Sequence, residues 1–376
     1  MGSGHLLRAC FSLLAIFAVT APAAAAAEPT THQLPDATHA HSLTPTADGS
    51  VWFVPARGSE WGSQSQSIVG RLAPDGSVTE HEVAGFGTVA HLALGPAGEI
   101  WVAGYGSEGG YGQQPLLIGR LSPAGTLAEA YTVGRKGWIR SLALADGAIW
   151  FVQARPEAAD TIERLSIDGV PAWRGSLRPG CNATDIAVGG GGSLWFAAAC
   201  GRRGKGKGAS PGRDSINRIG PGGKIARHPL PNLRGHPVSL TIGADGTVWF
   251  GVSYRGFRSP AVGRITRTGS MAQFPIPHGQ PFSIAVGPER RLWFQSSFGG
   301  WNFRALDSIG VGGRPGEPTC ADPTCSLEPT GLVAAADGSL WYGLARPNLN
   351  TGGGGSGLWI GNEIANEAGY LGNLMP

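Results

Sequence analysis

Seven tryptophans divide most of this chain into near-copies of one phrase. Trp52, Trp101, Trp150, Trp195, Trp249, Trp293 and Trp341 recur at intervals of 49, 49, 45, 54, 44 and 48 residues, inside SVWFV, EIWVA, AIWFV, SLWFA, TVWFG, RLWFQ and SLWYG. A period of this length is the signature of propeller blades, because one such unit makes a small sheet that cannot bury both faces alone. Ahead of most phrases comes an apolar segment ending in a Gly-rich turn, as in LTIGADG, IAVGGGG and LVAAADG. Asp-Gly and Gly-Gly pairs accept the positive φ of tight turns, so each phrase reads as the second strand of a hairpin. A third strand follows in IVGRLAPDG, LIGRLSPAG, INRIGPGG and VGRITRTG, and a fourth in SVTEHEV, KIARHPLP and SMAQFPIP. The expectation is an all-β chain: a seven-bladed β-propeller of four-stranded antiparallel blades, the first strand of each innermost and the tryptophans packed between blades.

The ends suggest how the ring closes. Thr31 to Pro35, THQLP, reads as a fourth strand with no blade of its own, whereas Gly357 to Gly361, GLWIG, reads as the third strand of the last blade. The N-terminal strand is therefore expected to close the last blade and remove an exposed edge. The tail segment EAGYLGN looks like a poorer rival for that place.

With 62 Gly, 28 Pro and 15% charged residues, the chain has too much turn chemistry for a helical protein and too much apolar content for a disordered one. Residues 1–27 read as a signal peptide. Arg8 supplies its positive region, Ala9 to Val19 its apolar run and Ala23 to Ala27 its small-residue cleavage site near Ala27. That apolar run is shorter than the ~20 residues of a spanning helix. A secreted or periplasmic protein is expected, with residues 28–376 as one domain, no later membrane span, and a monomer. The formal charge of +3 points to no polyanionic partner, and RRGKGKG from Arg202 to Gly208 reads as a solvated loop rather than a nucleic-acid contact.

Four cysteines follow the signal segment: Cys181, Cys200, Cys320 and Cys325. An even number in an exported chain favours two disulfides. A hairpin turning at Gly190 and Gly191 sets Cys181 opposite Cys200, and Cys320 with Cys325 would close the short loop CADPTC. Zinc spacing is lacking, as are the G-x-S-x-G, HExxH, P-loop and CxxC motifs. Asn182-Ala183-Thr184 is a glycosylation sequon, relevant only in a host that glycosylates such sites.

The phrases IGRL, DGSVWF, PFSIAVGPERRLWF and FPIP together resemble the repeats of the virginiamycin B lyase (streptogramin lyase) family over nearly all of residues 28–376. The resemblance implies a seven-bladed propeller that opens a cyclic ester antibiotic by elimination. In that chemistry a histidine eleven residues before a blade tryptophan acts as base, and a glutamate three after it helps hold magnesium. Here the first position reads His41, Ala90, Thr184, Val238, Phe282 and Thr330, with Arg140 in the repeat whose turn is one residue shorter. The second reads Pro55, Gly104, Gln153, Ala198, Val252, Ser296 and Leu344. Of the acid and the histidine in the family's Glu-Pro-His phrase only Glu328 remains, with Thr330 at the histidine's place. His41 and Glu328 are thus the catalytic candidates, no cofactor or metal site is expected, and magnesium enters only under a lyase alternative with a rebuilt site. Asp185 and Glu328 are too few carboxylates for a calcium site.

Between the second and third strands the repeats carry long Gly-rich loops. Trp61, Tyr105, Tyr111, Tyr254 and Trp301 lie in or beside them, interleaved with Arg155, Arg255, Arg304 and Arg346. Aromatics with arginines favour binding surfaces, since they bury large area and fork onto anions. The reading is an exported binding or interaction module that takes a small molecule, glycan or protein on this rim.

Overall fold

The computed structural model describes residues 30–34, 39–56, 67–110, 112–155, 158–200, 213–230, 235–254, 260–276, 281–287, 290–297, 304–316, 318–319, 328–345 and 370–374. Successive repeats build six antiparallel sheets of four strands and one of three. The first is typical, running His39–Pro45, Val51–Ala56, Ile68–Leu72 and Val78–Glu82 from inside to outside. The inner strand of each repeat lies against that of the next, and the last, Glu328–Ala334, lies against His39–Pro45, so the chain closes into a ring. Among the described residues no helix is long and apolar enough to cross a membrane.

Each blade buries both faces against its neighbours. Trp52, Val54 and Val69 of the first sheet meet Phe86, Val89 and Ile100 of the second, and equivalent apolar clusters fill the other junctions. Fully burying one such side chain contributes roughly 1.5–3 kcal/mol, which makes the junctions the main source of cohesion.

The tryptophan of each phrase is held by its own blade as well. In the first repeat the Arg71 guanidinium from the third strand lies 6.0 Å from the Trp52 ring, and His81 of the fourth strand lies 5.6 Å away. Arg164 and Trp173 flank Trp150, Arg218 and His228 flank Trp195, and Arg264 and Phe274 flank Trp249. In these four repeats the third-strand arginine is therefore a cation–π partner of the blade tryptophan, whereas Arg120 pairs with Glu129. The glycine of the IGRL phrase has a separate duty. A Cβ on Gly70 would sit 2.2 Å from the Phe53 ring, and one on Gly263 2.2 Å from Phe250.

Ring closure follows the expected plan with one correction. Thr30–Gln33 is the outer strand of the last sheet, and His32 stacks on Trp341 at 6.1 Å as fourth-strand rings do elsewhere. The third strand, however, is Tyr370–Leu374, which pairs Leu340↔Leu374 through Leu344↔Tyr370 on one side and Gln33↔Tyr370 on the other. The tail takes the place expected for GLWIG, which lies outside the described residues. Backbone pairing on both edges suffices to make a strand of a Gly- and Asn-containing segment that lacks apolar alternation.

The sixth repeat departs from four strands. Ile284–Val286, Leu292–Ser297 and Arg304–Ile309 form its sheet, and the next segment adds only the bridges Ile309↔Pro315 and Leu306↔Thr319. Pro315 and Pro318 have no N–H to give a ladder. Gly316 and Thr319 still donate to the Ser308 and Leu306 carbonyls, at 2.7 and 2.8 Å.

Cys181 and Cys200 form a disulfide across the first two strands of the fourth sheet. They face each other through two offsetting irregularities. The turn spans Gly190 to Gly192, since Gly189 pairs with Ser193, one residue longer than expected, and a bulge at Thr184 restores the register. Cys320 and Cys325 lie outside the described residues, as do residues 1–27.

Replacing Gly70 by alanine is expected to lower the chemical-denaturation midpoint by an amount worth about 1–3 kcal/mol, because the new methyl must displace Phe53. Alanine at Gly190, where a Cβ meets nothing within 4 Å, serves as the control and should leave the midpoint nearly unchanged.

Candidate functional site

The inner strands share a local distortion. Their pairing with the second strand slips between His41 and Thr44, Val89 and His91, Ile139 and Ser141, Ala183 and Asp185, Pro237 and Ser239, and Thr330 and Leu332. All six slips fall about ten or eleven residues ahead of the blade tryptophan. A bulge re-aims the side chains around it, and here it does so at one end of the channel in blade after blade. Two of the bulges use left-handed backbone, Ser42 at φ 51° and Gly331 at φ 63°.

Ten residues before most of the tryptophans, and nine before Trp150, a polar side chain beside the bulge is handed to the neighbouring blade. Ser42 Oγ accepts the Leu92 N–H at 2.7 Å, and His91 Nε2 donates to the Ile139 carbonyl at 3.0 Å. Ser141 Oγ donates to Asp185 Oδ1 at 3.1 Å, and Asp185 Oδ2 accepts the Leu240 N–H at 2.9 Å. Ser239 Oγ donates to the Pro281 carbonyl at 2.9 Å, and Ser283 Oγ accepts the Leu332 N–H at 2.8 Å. The seventh position, Gly331, has no side chain to offer. This belt was not anticipated from sequence, although the column Ser, His, Ser, Asp, Ser, Ser, Gly carries the signal. Burial lowers the His91 pKa and keeps its imidazole neutral, and burial pushes the Asp185 carboxyl up to about 6. Asp185 is thus a half-buried junction group, its carboxylate bonded to the third and fifth blades.

One position earlier stand His41, Ala90, Arg140, Thr184 and Val238, all half-buried, and Phe282, which is exposed. Arg140 lies 3.6 Å from the buried Asp160 carboxylate and stacks on Trp138, while Thr184 Oγ1 donates to the Pro237 carbonyl at 2.9 Å. His41 sits on the first inner strand opposite Val54, and Glu328 opens the last inner strand opposite Ala345. Those strands are neighbours across the closure, but the Glu328 side chain is outside the described residues. Tyr105 is half-buried against the core between the second and third sheets. Tyr254 and Arg304 lie in strands, with side chains outside the described residues. Trp61, Tyr111, Arg255, Trp301 and Arg346 are outside them entirely.

Arg155 belongs to a definite cleft. On this rim, where the second sheet leads into the third, a space of about 440 Å³ is lined by Arg135, Lys136, Gln153, Arg155, Glu163 and Arg174, among others. Gln153 is 4% exposed; its Nε2 donates to the Lys136 carbonyl at 2.9 Å and its Oε1 accepts from Arg155 Nη2 at 3.0 Å. A related cleft of about 340 Å³ lies between the third and fourth sheets, with Arg178, Arg227, Asn217, Trp173 and the Cys181–Cys200 bridge in its wall. Asn217 there takes the place that Glu163 holds opposite Arg174, each pairing across the third and fourth strands of its own sheet.

Residues 116–351 match the Virginiamycin B lyase family. The chain belongs to that family. A streptogramin B lyase structure superposes with a TM-score of 0.62 at 24% identity, covering 91% of this chain and 97% of that one. A catalytically inactive histidine-to-alanine variant of virginiamycin B lyase from Staphylococcus aureus, with quinupristin, gives 0.63 at 20% identity over 93% and 100%. These likenesses are of fold. No curated protein matches the chain.

Within the family frame, the magnesium position fails a test of its donors. None of the seven residues three after the blade tryptophans is a carboxylate, and among the described residues no three His, Cys, Asp or Glu side chains gather. Gln153 is the nearest chemical relative, and its amide is spent on Lys136 and Arg155. Among the described residues the donor set does not fit a hard cation.

The belt makes a prediction about pH. Asp185 titrates near 6 when folded and near 3.9 when unfolded, so the folded chain holds its proton more tightly. Stability from this group is full below about pH 4 and is lost as pH rises through about 6, by roughly 2–3 kcal/mol. Melting curves of Asp185→Asn, which keeps the acceptor but cannot ionise, should gain on the parent between pH 4 and pH 7.5. Parallel pH dependence of the two proteins would show that Asp185 is not held in this way.

Proposed function

We propose that this chain is a seven-bladed propeller that acts outside the reducing cytosol as a non-catalytic binding module, taking a small molecule, glycan or protein on its rim. The observation that carries the reading is a substitution of chemistry at one end of the channel. Where the family's elimination needs an imidazole and a carboxylate, most repeats offer alanine, valine, threonine, phenylalanine, glycine or leucine, none of which can serve as the imidazole base or as a carboxylate ligand. The same rim instead carries basic clefts on both sides of the third blade. Such a module works as a monomer, needs no cofactor and has no use for nucleic acid.

The sixth repeat counts as the seventh blade in this reading, its fourth strand reduced to bridges by Pro315 and Pro318. Export is supported by the character of residues 1–27 and by the Cys181–Cys200 bridge, which an oxidising compartment preserves.

A second reading, a lyase with a rebuilt site, draws on the adjacency of the strands bearing His41 and Glu328. Incubation of the purified protein with quinupristin and magnesium separates the two. Elimination gives a ring-opened isomer of unchanged mass, so it is followed by chromatographic retention and fragmentation. Intact antibiotic after prolonged incubation is the expected result. Linear product that disappears in His41→Ala would establish a working base on the first blade and replace the binding reading.

A further inference from the structure

We propose that the cleft between the second and third blades binds an oxyanion, a sulfate, phosphate or carboxylate group on the module's ligand. The inference deepens the rim-binding reading and rests on it. Arg135, Lys136, Arg155 and Arg174 converge on this space against one carboxylate, Glu163. Glu163 is already engaged: Arg174 Nε lies 3.3 Å from its Oε1, and Thr161 donates to the same oxygen at 2.9 Å. With Glu163 paired to Arg174, the lining residues offer no second carboxylate to Arg135, Lys136 and Arg155.

The site is built rather than accidental. Gln153 is almost wholly buried, and both ends of its amide are used: one is tied to the Lys136 carbonyl and the other holds the Arg155 guanidinium. The Lys136–Gln153–Arg155 chain fixes the segment carrying Arg135 and Lys136 against the end of the second strand of the third blade. A guanidinium fixed through one N–H still presents the rest of its fork to a ligand, and a pre-positioned fork loses little freedom when it meets an oxyanion. A volume of about 440 Å³ exceeds what one inorganic anion fills, so the group recognised belongs to a larger molecule, such as an acidic sugar.

Sulfate, phosphate and glucuronate are titrated separately into the mature protein at constant ionic strength, with chloride as the balancing ion, and binding is read by calorimetry. Saturable binding of at least one of them is expected, weakened tenfold or more in the exposed double variant Arg135→Ser/Lys136→Ser and in Arg155→Gln. Arg267→Gln, an exposed cation outside both clefts, should bind as the parent does, and Arg178→Gln/Arg227→Gln tests whether the anion sits in the neighbouring cleft instead. The thermal midpoint of each variant reports that it remains folded. No saturable heat with any of the three anions, equal affinity in the Arg135/Lys136 variant, or loss only in the Arg178/Arg227 variant would each overturn the assignment. These outcomes are independent of the quinupristin assay, since ring opening would remove the binding reading whether or not the cleft takes an anion.

Discussion

Everything in this ring depends on the junctions between blades, because no four-stranded blade buries both faces by itself. The apolar clusters supply the cohesion, but dispersion between Val, Leu and Trp side chains is indifferent to small slides of one sheet over the next. The polar belt removes that indifference. Ser42, His91, Ser141, Asp185, Ser239 and Ser283 each form one directional bond to the following blade. A buried donor or acceptor left unmade costs about 1–3 kcal/mol, so a slide that broke one bond would be resisted far more strongly than hydrophobic contact alone resists it. The price is a desolvated carboxylate at half-buried Asp185, its pKa raised to about 6 despite three hydrogen-bond donors.

The architecture was legible because its two periodicities are simple. Strand alternation has period two, the blade has a period near 48, and Trp-Phe phrases followed by IGRL mark both at once. What escaped notice involves departures from those periods. A bulge adds one residue without changing residue type, so the turn at Gly190–Gly192 and the bulge at Thr184 cancelled, and the facing of Cys181 and Cys200 was inferred correctly through an incorrect turn. The belt escaped because Ser and Asp in an inner strand read as solvent-facing polar residues. Only the bulge turns them into the junction.

Closure shows a further limit of reading strands from apolar content. GLWIG has the better pattern, yet Tyr370–Leu374 fills the third position of the last sheet. Its partners are the second strand of its own blade and the N-terminal strand, and both edges of Tyr370–Leu374 are paired. A segment with ladder bonds on both sides draws its stability from backbone groups that every residue except proline carries, so composition says little about it. The reverse holds in the sixth repeat, where Pro315 and Pro318 limit the fourth strand to isolated bridges although the chain runs in the right place.

The candidate site was the least legible part, and the bulge explains why. It sets two consecutive residues to different tasks. The belt residue bonds to the next blade and holds the ring together, whereas the one before it stands at the channel end, half-buried or, at Phe282, exposed. Stability constrains the first and leaves the second free to vary, so a family resemblance carried by structural phrases transmits the fold while saying little about chemistry. In this chain the second position holds alanine, arginine, threonine, valine and phenylalanine, with histidine only at His41. The polar capacity of the rim has moved outward to the clefts beside the third blade, where cations outnumber acids. An imidazole base and a carboxylate-bound metal act on a substrate's proton and enolate, whereas guanidinium forks and an ammonium act on a ligand's charge. The cations of these clefts thus match the chemistry that the proposed binding role calls on.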